Sequence, residues 1–381
     1  MAAGKVQEWR HGWLTLLGSV VGMSGGLGIF GSTNSFFIKP LHEAFGWTRG
    51  EISLTSVSIL VLSFLMPVVG RLVDRHGPHF FILVGGVTFT AVYVALAFMP
   101  GELWYYFAIL AVVGLIAGPA TAPLVFTRPI VAAFERSRGL ALAIGMSGGV
   151  LTSIVLLPVL QHIIAASGWR SGYLFLAPIV FVFALSSYLM LRRAHRVSAK
   201  PASDAAAPEA AAGHTMLGAL RDARFYLLAV AMMLSVMAAT SFSSQQQALL
   251  SDIGVPGPIA ALMGAGFAVC VVVGRLGCGV LLDRLWAPGV AAIALGAPAL
   301  GLLAFLTPDP PLWLLISAGA FIGLSQGAEA DMLAFFTARY FGLRSFGAIF
   351  GVLGLCFGVA AAIGGVSAGF LFDRTGDYHF G

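Results

Sequence analysis

Arg275 is the residue in this sequence whose chemistry is hardest to accommodate. It lies in the apolar run 258–282, eight residues before Asp283, about 12 Å inside that charged end of a helix at 1.5 Å per residue. A guanidinium at that depth in an apolar medium costs several kcal/mol unless it faces a cavity or a partner. Its planar fork matches a carboxylate through paired, charge-assisted hydrogen bonds, so anion binding is the chemistry on offer. A structural pairing with Glu329 or Asp331 is the alternative. Those two acids sit in the segment GLSQGAEADMLAFF. Two residues apart, they face different sides of a helix, whereas Gln326 and Glu329, three apart, share one. Burial disfavours the charged form of a carboxyl group, so either acid is a candidate carrier of a coupling proton. A latch to Arg339, Arg284 or Arg128 is the other reading of these acids.

A second constellation lies in the polar junctions. Gly70-Arg71-Leu72-Val73-Asp74-Arg75-His76-Gly77 has a degenerate copy in Gly279 to Arg284, which includes Asp283. Each places an acid and an arginine at the mouth of an apolar run. Arg138 and Arg344 open later runs, and Arg128 sits six residues inside another. Polar residues recur at matching places: Ser32, Thr33 and Asn34 near residue 33, and Thr240 to Gln247 near residue 243. Of these, Asn34 and Gln246 are the expected cavity-lining pair, with interhelical hydrogen bonding as the plainer alternative. No paired histidines, metal-ligand spacing or Ser/His/Asp set accompanies them, and no nucleotide-binding loop is present. The expectation is a chain that is not an enzyme and uses no cofactor, no metal and no nucleic acid.

The elements that must hold these residues follow from composition. Hydrophobic residues make up 59% of the 381 and charged residues 10%, against about 25% charged in soluble domains. No soluble core absorbs that much apolar surface, so the lipid bilayer is the solvent. Cys270, Cys278 and Cys356 fall in apolar runs and read as small hydrophobes. Eleven apolar stretches are long enough to span: 13–38, 52–70, 79–99, 103–127, 139–164, 171–191, 225–250, 258–282, 288–307, 312–337 and 346–371. They are continuously apolar rather than alternating, which predicts helices and not barrel strands. With the N-terminus inside, inner loops hold fifteen of the 21 basic residues and outer loops only Lys39, Arg49, Arg170 and Arg374. That bias predicts a multi-pass protein of the cell inner membrane with a cytoplasmic N-terminus.

The polar stretch 194–223 reads as a cytoplasmic linker between bundles at 1–193 and 224–381. The two halves repeat. GRLVDR (70–75) aligns with GVLLDR (279–284), and RGLALAIG (138–145) with RSFGAIFG (344–351). The first half holds six spans and the second five, so the expectation is a twelve-span plan from which the last span is missing, by truncation.

The Gly70 loop, repeated at half-chain spacing, resembles the signature loop of the major facilitator superfamily. That likeness implies two pseudo-symmetric all-α bundles and a gating latch of ion pairs from Arg71, Asp74, Arg75, Asp283 and Arg284, with Gly70 allowing close helix approach. Phe134-Glu135-Arg136-Ser137-Arg138-Gly139-Leu140-Ala141, followed by Gly145, Ser147, Gly148 and Gly149, looks like the entry to helix 5 of the monocarboxylate porters. Glu8 to Trp13 matches that family's helix 1 motif loosely. The resemblance implies a secondary transporter, monomeric, of a small organic anion, coupled to protons, with Arg275 four residues before Gly279 binding the substrate carboxylate. Oxalate/formate-type antiporters share much of the pattern. The sequence departs from the porters in carrying Val271 where they place an acid one turn before the arginine, and no lysine near Gly31. It departs from the antiporters in having no lysine in 346–371, so a single deep cation suits a monoanion.

Overall fold

The computed structural model describes residues 2–47, 51, 55–198, 213–252, 255–303 and 311–375. Of the expected linker 194–223, residues 199–212 lie outside the described residues. All described elements are helical, and the one β-type contact is an isolated bridge between Gly213 and Gly342. The helices are α1 (Ala2–Met23), α2 (Leu27–Phe45), α3 (Thr55–His76), α4 (Pro78–Ala97), α5 (Leu103–Val112), α6 (Pro123–Ala133), α7 (Arg138–Met146), α8 (Gly148–Ser198), α9 (Met216–Leu220), α10 (Ala223–Asp252), α11 (Gly257–Arg284), α12 (Ala287–Leu303), α13 (Leu312–Phe336) and α14 (Phe346–Thr375). A π-helical turn, Val113–Ala117, follows α5, and a second, Thr337–Phe341, follows α13.

Eight helices among the described residues are long and apolar enough to cross a membrane, and Ala287–Leu303 is a shorter apolar helix. The sequence predicts eleven, and two reasons account for the difference. The expected spans 139–164 and 171–191 fall on one continuous stretch, Arg138–Arg196. Its 59 residues would make a straight helix of roughly 90 Å, against a bilayer core of about 30 Å. It breaks at Gly168, whose φ of 81° and ψ of 169° are not helical. The runs at 52–70 and 288–307 extend into residues outside the described set.

The described chain divides into two compact units. The first comprises Met1–Arg136, Ile144–His214 and Phe341–Val352. Its apolar core centres on Phe30, Phe37, Phe89, Tyr93, Tyr106 and Tyr173, with Phe37 and Tyr173 stacked at 3.8 Å and 6°. Small residues bring its helices together: a side chain on Gly86 would collide with Ala184, and one on Gly148 with the Val20 carbonyl. In a membrane, where apolar surface gains little by leaving lipid, such close backbone contact is what binds helices. The second unit comprises Ser137–Ala143, Thr215–Tyr340 and Leu353–Gly381. Its tightest pair is α11 against α13, where side chains on Gly274 or Gly327 would overlap the Leu324 and Val271 carbonyls. The opening of α14, residues 346–352, falls in the first unit, and that of α7, residues 138–143, in the second.

Candidate functional site

The α11–α13 contact in the second unit positions the deep charges. Because Gly327 has no side chain, the backbone of Arg275 lies against it; a Cβ there would be 2.9 Å from the Arg275 nitrogen. Arg275 Nε donates to the Gly327 carbonyl at 3.2 Å and lies 3.5 Å from Asp331 Oδ2. Asp331 is 3% exposed, and neither of its oxygens has a hydrogen-bond partner among the described residues. The Arg275 side chain keeps 15% of its surface exposed, so the charge is desolvated but not sealed. The Asp331 partnership is one of the two alternatives raised for Arg275 from the sequence.

Glu329 points elsewhere, as its two-residue offset requires. It is 2% exposed. Its Oε1 accepts from Ser235 Oγ on α10 at 2.7 Å and from Ser325 Oγ at 3.5 Å, and the two hydroxyls are 3.2 Å apart. Glu329 is met by hydroxyls and Asp331 by Arg275, where the sequence also offered a latch to Arg339, Arg284 or Arg128. Ser325 stands four residues before Glu329 and so was legible in the sequence as a same-face neighbour. Ser235, ninety-four residues away, was not.

The duplicated acids form matching clamps, one in each unit. In the first unit, Asp74 Oδ1 accepts from Gly347 N at 2.9 Å and Oδ2 from Ala348 N at 3.0 Å. In the second, Asp283 Oδ1 accepts from Gly139 N at 2.7 Å and Oδ2 from Leu140 N at 2.9 Å. The amides belong to the opening turns of α14 and α7. The next residues already bond within the helix, Ile349 to Ser345 and Ala141 to Ser137, both at 3.0 Å. Each carboxylate therefore caps the donors a helix start leaves unpaired, where the helix dipole also favours negative charge. The glycine four residues before each acid makes room: a side chain on Gly70 would collide with the Gly347 carbonyl, and one on Gly279 would come within 2.7 Å of the Gly139 carbonyl.

Backbone amides meet both acids of the expected latch, and its loop residues Arg71, Arg75, Arg284 and Arg344 are exposed. Arg128 does pair, Nε to Asp74 Oδ1 at 3.0 Å, entering from α6. Arg138 is half-buried at the start of α7. The repeat register also moves. The clamped amides of Gly139 and Gly347 lie 208 residues apart, not 206, so Arg136 corresponds to Arg344 and Arg138 to Phe346. Asn34 is half-buried on α2 of the first unit, next but one to Ser32, whose hydroxyl is 3.0 Å from Ser153 Oγ. Gln246 on α10 is buried, and its Nε2 has no hydrogen-bond partner among the described residues. Gln326 is half-buried on α13. Among the described residues no group of three or more His, Cys, Asp or Glu is placed to hold a metal ion.

Comparison with known proteins agrees with this architecture. Residues 19–365 match the Major Facilitator Superfamily. Monocarboxylate transporter 11 of Mus musculus is 28% identical over 340 residues, covering 85% of this chain and 73% of that protein. Monocarboxylate transporter 13 of Bos taurus is 26% identical over 375 residues, covering 96% and 84%. Among solved structures, FucP in the outward conformation superposes with a TM-score of 0.68 at 17% identity, covering 96% of this chain and 93% of that one. A bacterial homologue of the iron transporter ferroportin gives 0.74 at 16%, covering 97% and 94%. At such identities these two speak to the fold alone. With apolar helices throughout, a matched clamp in each unit and a family match over nearly the whole length, this chain is a multi-pass membrane protein and belongs to the Major Facilitator Superfamily of transporters.

Proposed function

We propose that the chain is a secondary transporter that carries a small monocarboxylate-type organic anion by alternating access, coupled to protons. The observation that carries the reading is Arg275: a guanidinium within an apolar helix, partly exposed, with Asp331 3.5 Å away. A substrate carboxylate would meet the same fork that Asp331 adjoins, so anion entry and the charge of Asp331 would be linked through one cation. Asp331 and Glu329 are the proposed proton-coupling acids, and Asn34, Gln246 and Gln326 the proposed further substrate contacts. Gly70, Arg71, Asp74, Arg75 and Arg128, with Arg138, Asp283, Arg284 and Arg344, form the proposed gating latch. In this reading residues 1–193 and 224–381 are homologous bundles joined by a cytoplasmic linker at 194–223. The chain works as a monomer in the cell inner membrane with its N-terminus in the cytoplasm. The relatives named monocarboxylate transporters support the substrate class.

Val271 supports a second reading, exchange of organic anions without a proton, because the porters' acid one turn before the arginine is missing. Uptake of radiolabelled lactate and pyruvate into proteoliposomes, with and without an inward proton gradient, separates the two. Symport predicts faster uptake with the gradient. Uptake indifferent to the gradient but accelerated by internal lactate supports exchange. Both carboxylate readings fail if neither anion enters, or if Arg275→Gln transports like the wild type.

A further inference from the structure

The first unit holds a cavity of about 540 Å³ that no transport role has absorbed. It opens beside the turn from α3 to α4, and its polar wall is basic: His76, His79, His195 and Arg128, with Thr15. No carboxylate lines it among the described residues. Asp74, the acid that Arg128 holds, spends its oxygens on the Gly347 and Ala348 amides. The imidazoles of His79 and His195 approach to 5.8 Å between centroids at 60°. His79 Nδ1 is buried with no hydrogen-bond partner among the described residues, a state that costs free energy until something fills it. Helix α4 starts at this wall. Gly77, at φ 77°, turns the chain in, and Pro78 takes the first helical position. The next N–H groups are thus donors at the positive end of a 20-residue helix dipole. Beyond the rim, Arg192, Arg193 and Arg196 stand exposed on the last turns of α8.

Donors therefore line one cavity from four helices: imidazoles from α3, α4 and α8, and a guanidinium from α6. A flat carboxylate uses donors in one plane, whereas a tetrahedral anion with several acceptor oxygens can meet donors from several sides. We propose that this cavity binds a phosphate-type anion, either free phosphate or the phosphodiester headgroup of an anionic lipid. His79 and His195 hold the anion, and the exposed arginines of α8 raise its local concentration. Arg128 joins this site to the Asp74 clamp, since its Nε stays 3.0 Å from Asp74 while the same side chain lines the cavity.

The test uses the full-length chain in phosphatidylcholine nanodiscs. Inorganic phosphate is titrated calorimetrically, and thermal unfolding is compared between phosphatidylcholine and phosphatidylglycerol discs. His195→Gln, an exposed site where folding is tolerant, is expected to raise the phosphate Kd about tenfold, the loss of one charge-assisted hydrogen bond. His79→Gln combined with His195→Gln is expected to abolish the saturable response. Arg193→Gln with Arg196→Gln, outside the cavity wall, is expected to keep saturation but raise the phosphate Kd several-fold at low ionic strength, as the loss of local attraction requires. Saturable phosphate binding supports a free anion. Stabilisation by phosphatidylglycerol alone, lost in the histidine variants, supports a headgroup. The proposal falls if the wild type responds to neither probe, or if the response survives both histidine substitutions.

Discussion

Removing the Asp74 carboxylate should free two specific backbone amides and leave their counterparts in the other unit untouched. Gly347 and Ala348 sit where a helix has no internal acceptor for its N–H groups, and Asp74 alone supplies acceptors at 2.9 and 3.0 Å. A hydrogen bond to a charged group contributes a net 1.5–3 kcal/mol or so. Asp74→Ala removes one such bond from each amide, and at 1.4 kcal/mol per decade each should exchange about 10- to 100-fold faster. Ile349, bonded to Ser345 O at 3.0 Å, should change less. Arg128 also loses its partner, so the variant should unfold at a lower temperature as well. Hydrogen–deuterium exchange with residue-resolved mass spectrometry, on the protein in lipid nanodiscs, reads these positions directly and needs no knowledge of the substrate. Gly139 and Leu140 are the internal control, held by Asp283 at 2.7 and 2.9 Å. They should stay protected in Asp74→Ala and lose protection in Asp283→Ala, with Gly347 and Ala348 then unaffected. Asp74→Asn keeps one acceptor oxygen and should fall between. Unchanged exchange at 347 and 348 would refute the capping argument. Equal acceleration at all four amides would refute its locality and point to general destabilisation.

Two further substitutions probe the second unit. Gly327→Ala places a methyl group on the Val271 carbonyl, so α11 and α13 must separate; overpacking of this kind costs about 1–3 kcal/mol. Thermal unfolding should fall accordingly and lactate uptake with it, and a variant as stable and active as the wild type would remove the close-approach argument for Arg275. Ser235→Ala deletes the 2.7 Å bond to Glu329 and should lower stability by about 1–3 kcal/mol, as for a buried acceptor that loses its donor. Ser235→Thr, which keeps the hydroxyl, should recover part of that loss, and equal stability of Ala and Thr variants would show that the hydrogen bond contributes nothing.

Much of this protein was legible from residue order. Continuous apolar runs with few charges required helices in lipid, because hydropathy is a property of each segment alone. The repeated glycine-to-acid spacing of four, Gly70 to Asp74 and Gly279 to Asp283, announced matching devices in the two halves, and Arg275 declared itself by the cost of its depth. Tertiary structure decided the partners. Whether Asp74 meets a loop arginine or the amides of Gly347 and Ala348, more than 270 residues on, depends on which helix start packs against Gly70. That is a matter of shape that no local pattern encodes. The same holds for Glu329, which meets Ser235 instead of a cation, and for Arg275, whose approach to Asp331 requires the bare backbone of Gly327. The repeat register slipped by two because Arg-Ser-Arg-Gly and Arg-Ser-Phe-Gly align equally well on either arginine, and only the clamped amides single out the glycine. Composition and spacing state which groups need partners in an apolar solvent, and helix packing chooses them.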